Sequence, residues 1–313
     1  MLKETKNKKS YIGPIFIIIA ALLWAVDGVI RRNLYSLPPI TIIFFEHLIG
    51  LIILLPFVWK YVLKTKLDKR EWILLVIIAI LSGLLGTLWF TTALLKVHFI
   101  SFSVVFLLQK LQPIFAITTA SIFLKEKLDR RYIAWALLAI VSAFFITFKN
   151  GFVDFHTGDG VMIAAIYALG AAFAWGSSTT FSKMLLGKVR AEVSTFYRFL
   201  FTLCLALPLV LIFGYGSSLF TLTLSQLGLF VLIAFSTGMV ALVIYYKGLA
   251  KTSVHISTIL ELTFPFVAIL IDMKLYHTVL SATQWISACV LVFSIYQITL
   301  LRNSNNSTLT TQA

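Results

Sequence analysis

Ser101–Leu128 reads SFSVVFLLQKLQPIFAITTASIFLKEKL. It is apolar over most of its length, yet Gln109, Lys110, Gln112 and Pro113 stand at its centre, and it closes on the charged run Lys125-Glu126-Lys127. As a helix, such a stretch is long enough to cross a bilayer, for which about 20 apolar residues suffice. Amides and an ammonium at mid-depth are costly there, and they persist mainly where they meet water, a partner or a substrate. His255–Tyr276, HISTILELTFPFVAILIDMKLY, repeats the design with Glu261 and Pro265 at its centre. Placing Pro113 on Pro265 sets Gln109 on Glu261. The two helices are read as facing each other across one binding site.

The rest of the chain is built in the same way. It has 313 residues, of which 60% are hydrophobic and 12% charged, and its mean hydropathy is +0.97. A soluble domain carries about a quarter charged residues. Apolar runs recur along the whole length, which predicts an all-α membrane protein with many spans. The short alternating strands of a membrane barrel are absent. Ten transmembrane helices are expected, over 13–33, 40–60, 72–94, 101–123, 131–149, 160–183, 192–213, 225–248, 255–276 and 282–301.

The net charge of +14 does not point to nucleic acid. Alternate connections hold Lys3 to Lys9, Lys60 to Arg70, Lys125 to Arg131, Lys188 and Arg190, Lys251, and Arg302. The other connections hold only Arg31, Arg32, Lys96, Lys149 and Lys274. That bias places both termini in the cytoplasm, and the short loops with no organelle signal point to a prokaryotic inner (plasma) membrane. The basic start, Met1 to Lys9, runs straight into a full-length span with no small-residue cleavage site, so the first span is expected to be retained. Cys204 and Cys289 lie in apolar segments and read as packing residues.

An internal repeat is also visible. Trp24 with Trp175, Pro56 with Pro208 and Pro113 with Pro265 recur at nearly constant spacing. Five spans per unit is an odd number, so the second unit enters from the opposite side. The fold expected is therefore two inverted five-helix repeats, an architecture common in secondary transporters, with the site near mid-membrane where the repeats meet. The divisions are a cytoplasmic tail over 1–12, a first repeat over 13–149, a second over 160–301 and a tail over 302–313.

The Trp of spans one and six, Arg198-Phe199 of span seven, the Pro-centred spans four and nine, and Leu-Lys-Glu-Lys-Leu at 124–128 occur in a particular order. In that order, over 13–301, the chain resembles the drug/metabolite transporter superfamily, and within it the transporters built from two EamA domains. The resemblance implies a central cavity and, commonly, export of amino acids or other small metabolites. It also implies that Glu126 closes its helix. Two positions depart from the pattern: Glu46 stands where the first repeat would carry the Arg kept as Arg198, and Thr278 stands where the second repeat would carry the counterpart of Glu126.

The substrate-binding candidates are Trp24, Glu46, Gln109, Lys110, Gln112, Trp175, Arg198, Tyr245 and Glu261. Gln109 and Gln112 share a face, whereas Lys110 points about 100° away. Lys110 holds an anionic group or locks a neighbouring helix. Glu261 carries a proton, holds an ammonium, or pairs permanently with Lys110 or Arg198. Glu46 and Arg198 at matching depths suit a zwitterion. Glu261 and Glu46 are the candidates for proton coupling, and Pro113 and Pro265 are candidate hinges. His47 reads as a packing residue. Asp27 and Arg31 form an i, i+4 pair that is structural or an outer gate. Lys183 and Lys247 snorkel. Gly83, Gly86, Gly170 and Gly176 allow close helix packing.

No HExxH, GxSxG or P-loop is present, and the stretch Asp154 to Gly160 reads as a polar loop without metal spacing. No catalytic residue, metal or cofactor is expected. The partners expected are a small-molecule substrate and the lipid bilayer, for a monomer or homodimer. A secondary transporter of an amino acid-like metabolite, working outward by alternating access, is the leading reading. A non-transporting receptor and an intramembrane enzyme using Glu46 and His47 are the alternatives.

Overall fold

The computed structural model describes residues 11–96, 108–126, 128–153, 161–276 and 279–309. The beginning of span four at 101–107, the polar loop at 154–160, Lys127 and Thr278 lie outside the described residues, as do most of the N-terminal tail and the last four residues. The described chain is helical, with no strand. In order, the helices are α1 (Ile12–Ala25), α2 (Asp27–Arg31), α3 (Pro39–Lys64), α4 (Lys69–Ile78), α5 (Thr87–Lys96), α6 (Gln112–Phe123), α7 (Arg130–Thr147) and α8 (Val161–Leu186). They continue as α9 (Ala191–Ile212), α10 (Leu224–Phe235), α11 (Met239–Ala250), α12 (Val254–Leu260), α13 (Thr263–Tyr276) and α14 (Ala282–Leu309). A π-helical segment, Ala79–Gly86, joins α4 to α5.

Among the described residues, eight helices, some joined across a break, are long and apolar enough to cross a membrane. The shorter apolar helix α6 is the described part of the fourth expected span. The ninth expected span is divided into α12 and α13. The last helix runs on to Leu309, past the apolar limit expected at 301, because leaving the hydrocarbon does not itself end a helix.

Local chemistry explains the ends. Asp68 and Glu71 cap α4 reciprocally, and Thr223 and Gln226 cap α10 in the same way. Pro39 opens α3, where its missing N–H costs nothing. Asp129 caps α7.

In lipid, apolar burial does not drive helices together, so close approach depends on small side chains. Ala164, Ala168, Ala171, Ala172 and Ala174 of α8 are fully buried. Gly13 of α1 lies so near α11 that an added Cβ would stand 2.3 Å from Thr252 Oγ1, and one on Gly248 would stand 2.8 Å from the Gly13 carbonyl oxygen. Large apolar side chains point outward instead, Phe57, Leu137, Ile166, Ile212 and Ile286 among them.

The connections gather at two ends. The near end, where α1 begins, is joined by Lys188 bridging Asp68 at 3.3 Å and Glu71 at 2.9 Å. The far end is joined by Thr41 with Ser218 at 2.8 Å, Gln226 with Ser36 at 3.1 Å and Thr283 with Asn150 at 2.9 Å.

Candidate functional site

Two helix breaks face each other in mid-bundle, and their cause is visible in the sequence. A proline ring clashes with the carbonyl of the residue four before it. For Pro113 that residue is Gln109, and for Pro265 it is Glu261, the pair the alignment had matched. At the first break, Leu111 donates to the Leu108 carbonyl at 3.0 Å and Ile114 to that of Leu111 at 2.9 Å. At the second, Leu262 donates to the Ile259 carbonyl and Phe264 to that of Glu261, both at 3.0 Å. The regular helical bonds give way to tighter ones, and each proline sits in the first turn of the helix that follows.

The polar side chains at these breaks form one chain. Gln109 Nε2 donates to Gln112 Oε1 at 3.2 Å, and Gln112 Nε2 donates to Glu261 Oε2 at 3.2 Å. Tyr245 OH of α11 donates to Glu261 Oε1 at 2.6 Å. The Thr179 hydroxyl of α8 lies 3.5 Å from the same phenol, and the Trp24 ring of α1 packs on Tyr245 with centroids 5.2 Å apart. Gly176 makes this possible: an added Cβ there would stand 2.7 Å from the Gln112 carbonyl oxygen, so α6 and α8 need a glycine at their contact.

The permanent ion pair of Glu261 with Lys110 or Arg198, one of the alternatives, does not form; the partners of Glu261 are neutral donors. Lys110 is 6% exposed, and its Nζ lies 4.9 Å from the Phe264 ring centroid. Arg198 donates to Tyr246 OH at 3.2 Å, and that phenol also meets Ser182 Oγ at 3.1 Å. The Arg198 Nε is buried without a partner.

The remaining candidates lie elsewhere. Trp175 donates to the Ser82 carbonyl at 3.2 Å and packs on Phe90, away from the Trp24–Tyr245 pair. Glu46 is bound to Arg31 Nη1 at 2.9 Å, and Arg31 holds Asp27 at 2.7 Å. Thr237, at the break between α10 and α11, donates to Asp27 at 2.6 Å. This cluster ties α2 and α3 to the second half of the chain near the far end. His47 contacts the Ile43 carbonyl at 2.8 Å and packs at a tilt against Phe199. Lys183 donates to the Leu249 and Ala250 carbonyls, and Lys247 pairs with Glu192 at 2.9 Å.

A second tie lies at the near end. Glu126 accepts from the backbone N–H groups of Val254 and His255 at 3.0 and 3.3 Å, and His255 Nδ1 is 2.6 Å from Oε2. Burial pushes the Glu126 carboxyl up, but the His255 and Val254 hydrogen bonds outweigh it and hold the group below its ordinary value. Tyr132 OH donates to the His255 carbonyl at 2.7 Å. The sequence marks Glu126 as a helix-closing residue through the family resemblance, and it marks His255 by nothing beyond its place at the start of a span.

Broken helices carrying polar side chains at mid-bundle are the arrangement from which many secondary transporters build a binding site. Residues 11–148 and 162–300 each match the EamA-like transporter family, and the chain belongs to that family. It is 35% identical over 293 residues to the riboflavin transporter ImpX of Fusobacterium nucleatum subsp. nucleatum, a match covering 92% of this chain and 98% of the relative. One solved crystal structure superposes with a TM-score of 0.73 at 17% identity, covering 92% of this chain and 97% of its own, which shows a shared fold.

Proposed function

We propose that this chain is a secondary transporter that carries riboflavin, or a metabolite of similar build, across the membrane by alternating access. The likeness to a riboflavin transporter along nearly the full length of both chains carries the substrate class. The site is compatible with it. Trp24 beside Tyr245 offers ring faces for a flat heteroaromatic. Gln109, Gln112 and Lys110 offer donors and acceptors for its polar edge.

The two family matches and the two proline-associated breaks support a pair of inverted five-span repeats, ten spans in all. The Lys and Arg bias supports a cytoplasmic near end with both termini, in the plasma membrane. Rocking about the breaks beside Pro113 and Pro265 would expose the site to each side in turn. Glu261 is the proposed proton carrier, if transport is proton-coupled.

A small zwitterion, amino acid-like, is the second reading. It is favoured by the Lys110 ammonium and the Glu261 carboxylate, which do not neutralise each other and so offer one charge of each sign.

The test is counterflow in liposomes holding the purified chain, with labelled riboflavin and labelled amino acids, with and without a proton gradient. Riboflavin counterflow that excess unlabelled riboflavin suppresses is the expected result. Amino-acid counterflow without riboflavin counterflow would replace the substrate class. Absence of flux for both, from folded protein that binds either ligand, would replace transport with a receptor role. Net export, the direction inferred from the sequence, is read by loading the same vesicles from inside.

A further inference from the structure

Lys110 lies at the first helix break, beside the hydrogen-bonded chain of Gln109, Gln112, Glu261 and Tyr245 but not part of it. Its side chain is almost fully buried. Among the described residues it makes no hydrogen bond and meets no carboxylate; its contact is the face of the Phe264 ring. A ring face offsets only part of what an ammonium loses on leaving water. Such a group in a membrane interior is kept where a ligand completes its shell. It stands at the helix break, directly after Gln109 and two residues before Gln112.

The neighbours say what kind of group that is. Gln112 touches both Gln109 and Glu261, and both Glu261 oxygens are held by uncharged donors, so no cation cancels the carboxylate. A phosphate or carboxylate brought to Lys110 would approach that negative charge. An imide edge has the opposite character: two carbonyl acceptors flank one N–H donor, with no formal charge. The ammonium supplies donors for a carbonyl. The two glutamine amides, each carrying donors and an acceptor, supply the rest.

We infer that Lys110, with the Gln109 and Gln112 amides, forms the subsite for an uncharged imide edge of the substrate, such as the pyrimidinedione edge of a flavin, rather than for an anionic group. The inference rests on the flavin-class reading given above.

The experiment is a titration of the full chain in nanodiscs, read by quenching of flavin fluorescence. The probes are riboflavin, N3-methylriboflavin and riboflavin 5′-phosphate, on the unaltered protein and on Lys110→Met and Lys110→Arg. Methylating N3 removes the donor of the edge and should weaken binding to the unaltered protein about ten- to a hundredfold, as expected for one lost hydrogen bond in a buried site. Lys110→Met should weaken riboflavin by a similar factor, and Lys110→Arg by less. The phosphate ester should gain nothing over riboflavin.

Equal binding of riboflavin and its N3-methyl derivative would overturn the inference, and that comparison needs no variant to fold. So would wild-type affinity in Lys110→Met, or a preference for the phosphate ester that Lys110→Met abolishes, which would make Lys110 an anion site. If the unaltered protein binds no flavin at all, the substrate class itself falls, a result distinct from the other three.

Discussion

Near the far end, one guanidinium stands between two carboxylates, with Thr237 hydrogen-bonded to Asp27. At mid-bundle, a carboxylate is held by a phenol and an amide, while an ammonium nearby meets, among the described residues, a ring and no carboxylate. Both regions place a carboxylate and a cation inside the bundle. In the first, both carboxylates are held by the same guanidinium, and the cluster acts as a tie. In the second, the charges are left for something else to answer. The sign and number of charges in a membrane interior therefore matter less than whether they are already matched.

The contrast can be broken most sharply at Arg31. Arg31→Met leaves Asp27 and Glu46 without their cation and should destabilise the protein by about 3–5 kcal/mol, the range for breaking a buried ion pair by removing one partner. Thermal unfolding in detergent measures this, and adding Glu46→Gln should recover part of the loss. Unchanged unfolding of Arg31→Met would mean that the cluster is no tie.

At Glu261 the expected effect falls on transport. Glu261→Gln keeps a group that Tyr245 and a flipped Gln112 amide can both contact, so its stability should stay within about 1 kcal/mol of the unaltered chain. Substrate flux in liposomes should fall roughly ten- to a hundredfold, as for loss of a hydrogen bond to a charged group. Flux at the wild-type rate would remove Glu261 from the site.

The smallest effect is expected at Glu126. Its carboxyl is held below the ordinary value by His255 and the start of α12, against the upward push of burial. A carboxyl with a lowered folded pKa stabilises the fold above its unfolded value of about 4.3, and that contribution is lost as pH falls through the lower folded value. Thermal stability should therefore decline below about pH 4 in the unaltered chain. In Glu126→Gln this part of the decline should be missing. The group is partly exposed, so the difference should be about 1 kcal/mol or less. Identical acid profiles would show that the near-end tie contributes nothing.

The apolar plan and the mid-bundle breaks were legible in the sequence because each has a local cause. Span length follows from bilayer thickness, and the breaks follow from what a proline does to the carbonyl four residues earlier. The Gln109–Glu261 correspondence came from aligning the two prolines. The tie between Arg31 and Glu46 was not legible, because Asp27 already offered Arg31 a partner at i, i+4. Ser236 and Thr237 are adjacent hydroxyls in an apolar run, and which of them would reach Asp27 depends on where the second half of the chain lies. Trp24 and Trp175 align in sequence yet differ in surroundings: one packs on Tyr245, the other on Ser82 and Phe90. Correspondence in sequence fixes depth in the bundle, while the neighbours on each helix decide what a side chain touches.

The ties at Asp27–Thr237 and at Glu126–His255 both join the first half of the chain to the second, and both are made in the same structure. If the ties act as the two gates of the proposed alternating access, a molecule resting between them would exchange with neither compartment. Residence time would then be governed by whichever tie parts more slowly. Weakening one alone would not simply quicken turnover: it would make the carrier lopsided, admitting readily from one side while still waiting at the other. Flux measured in the two directions under equal and opposite gradients would register that asymmetry, much as current through a diode registers its polarity.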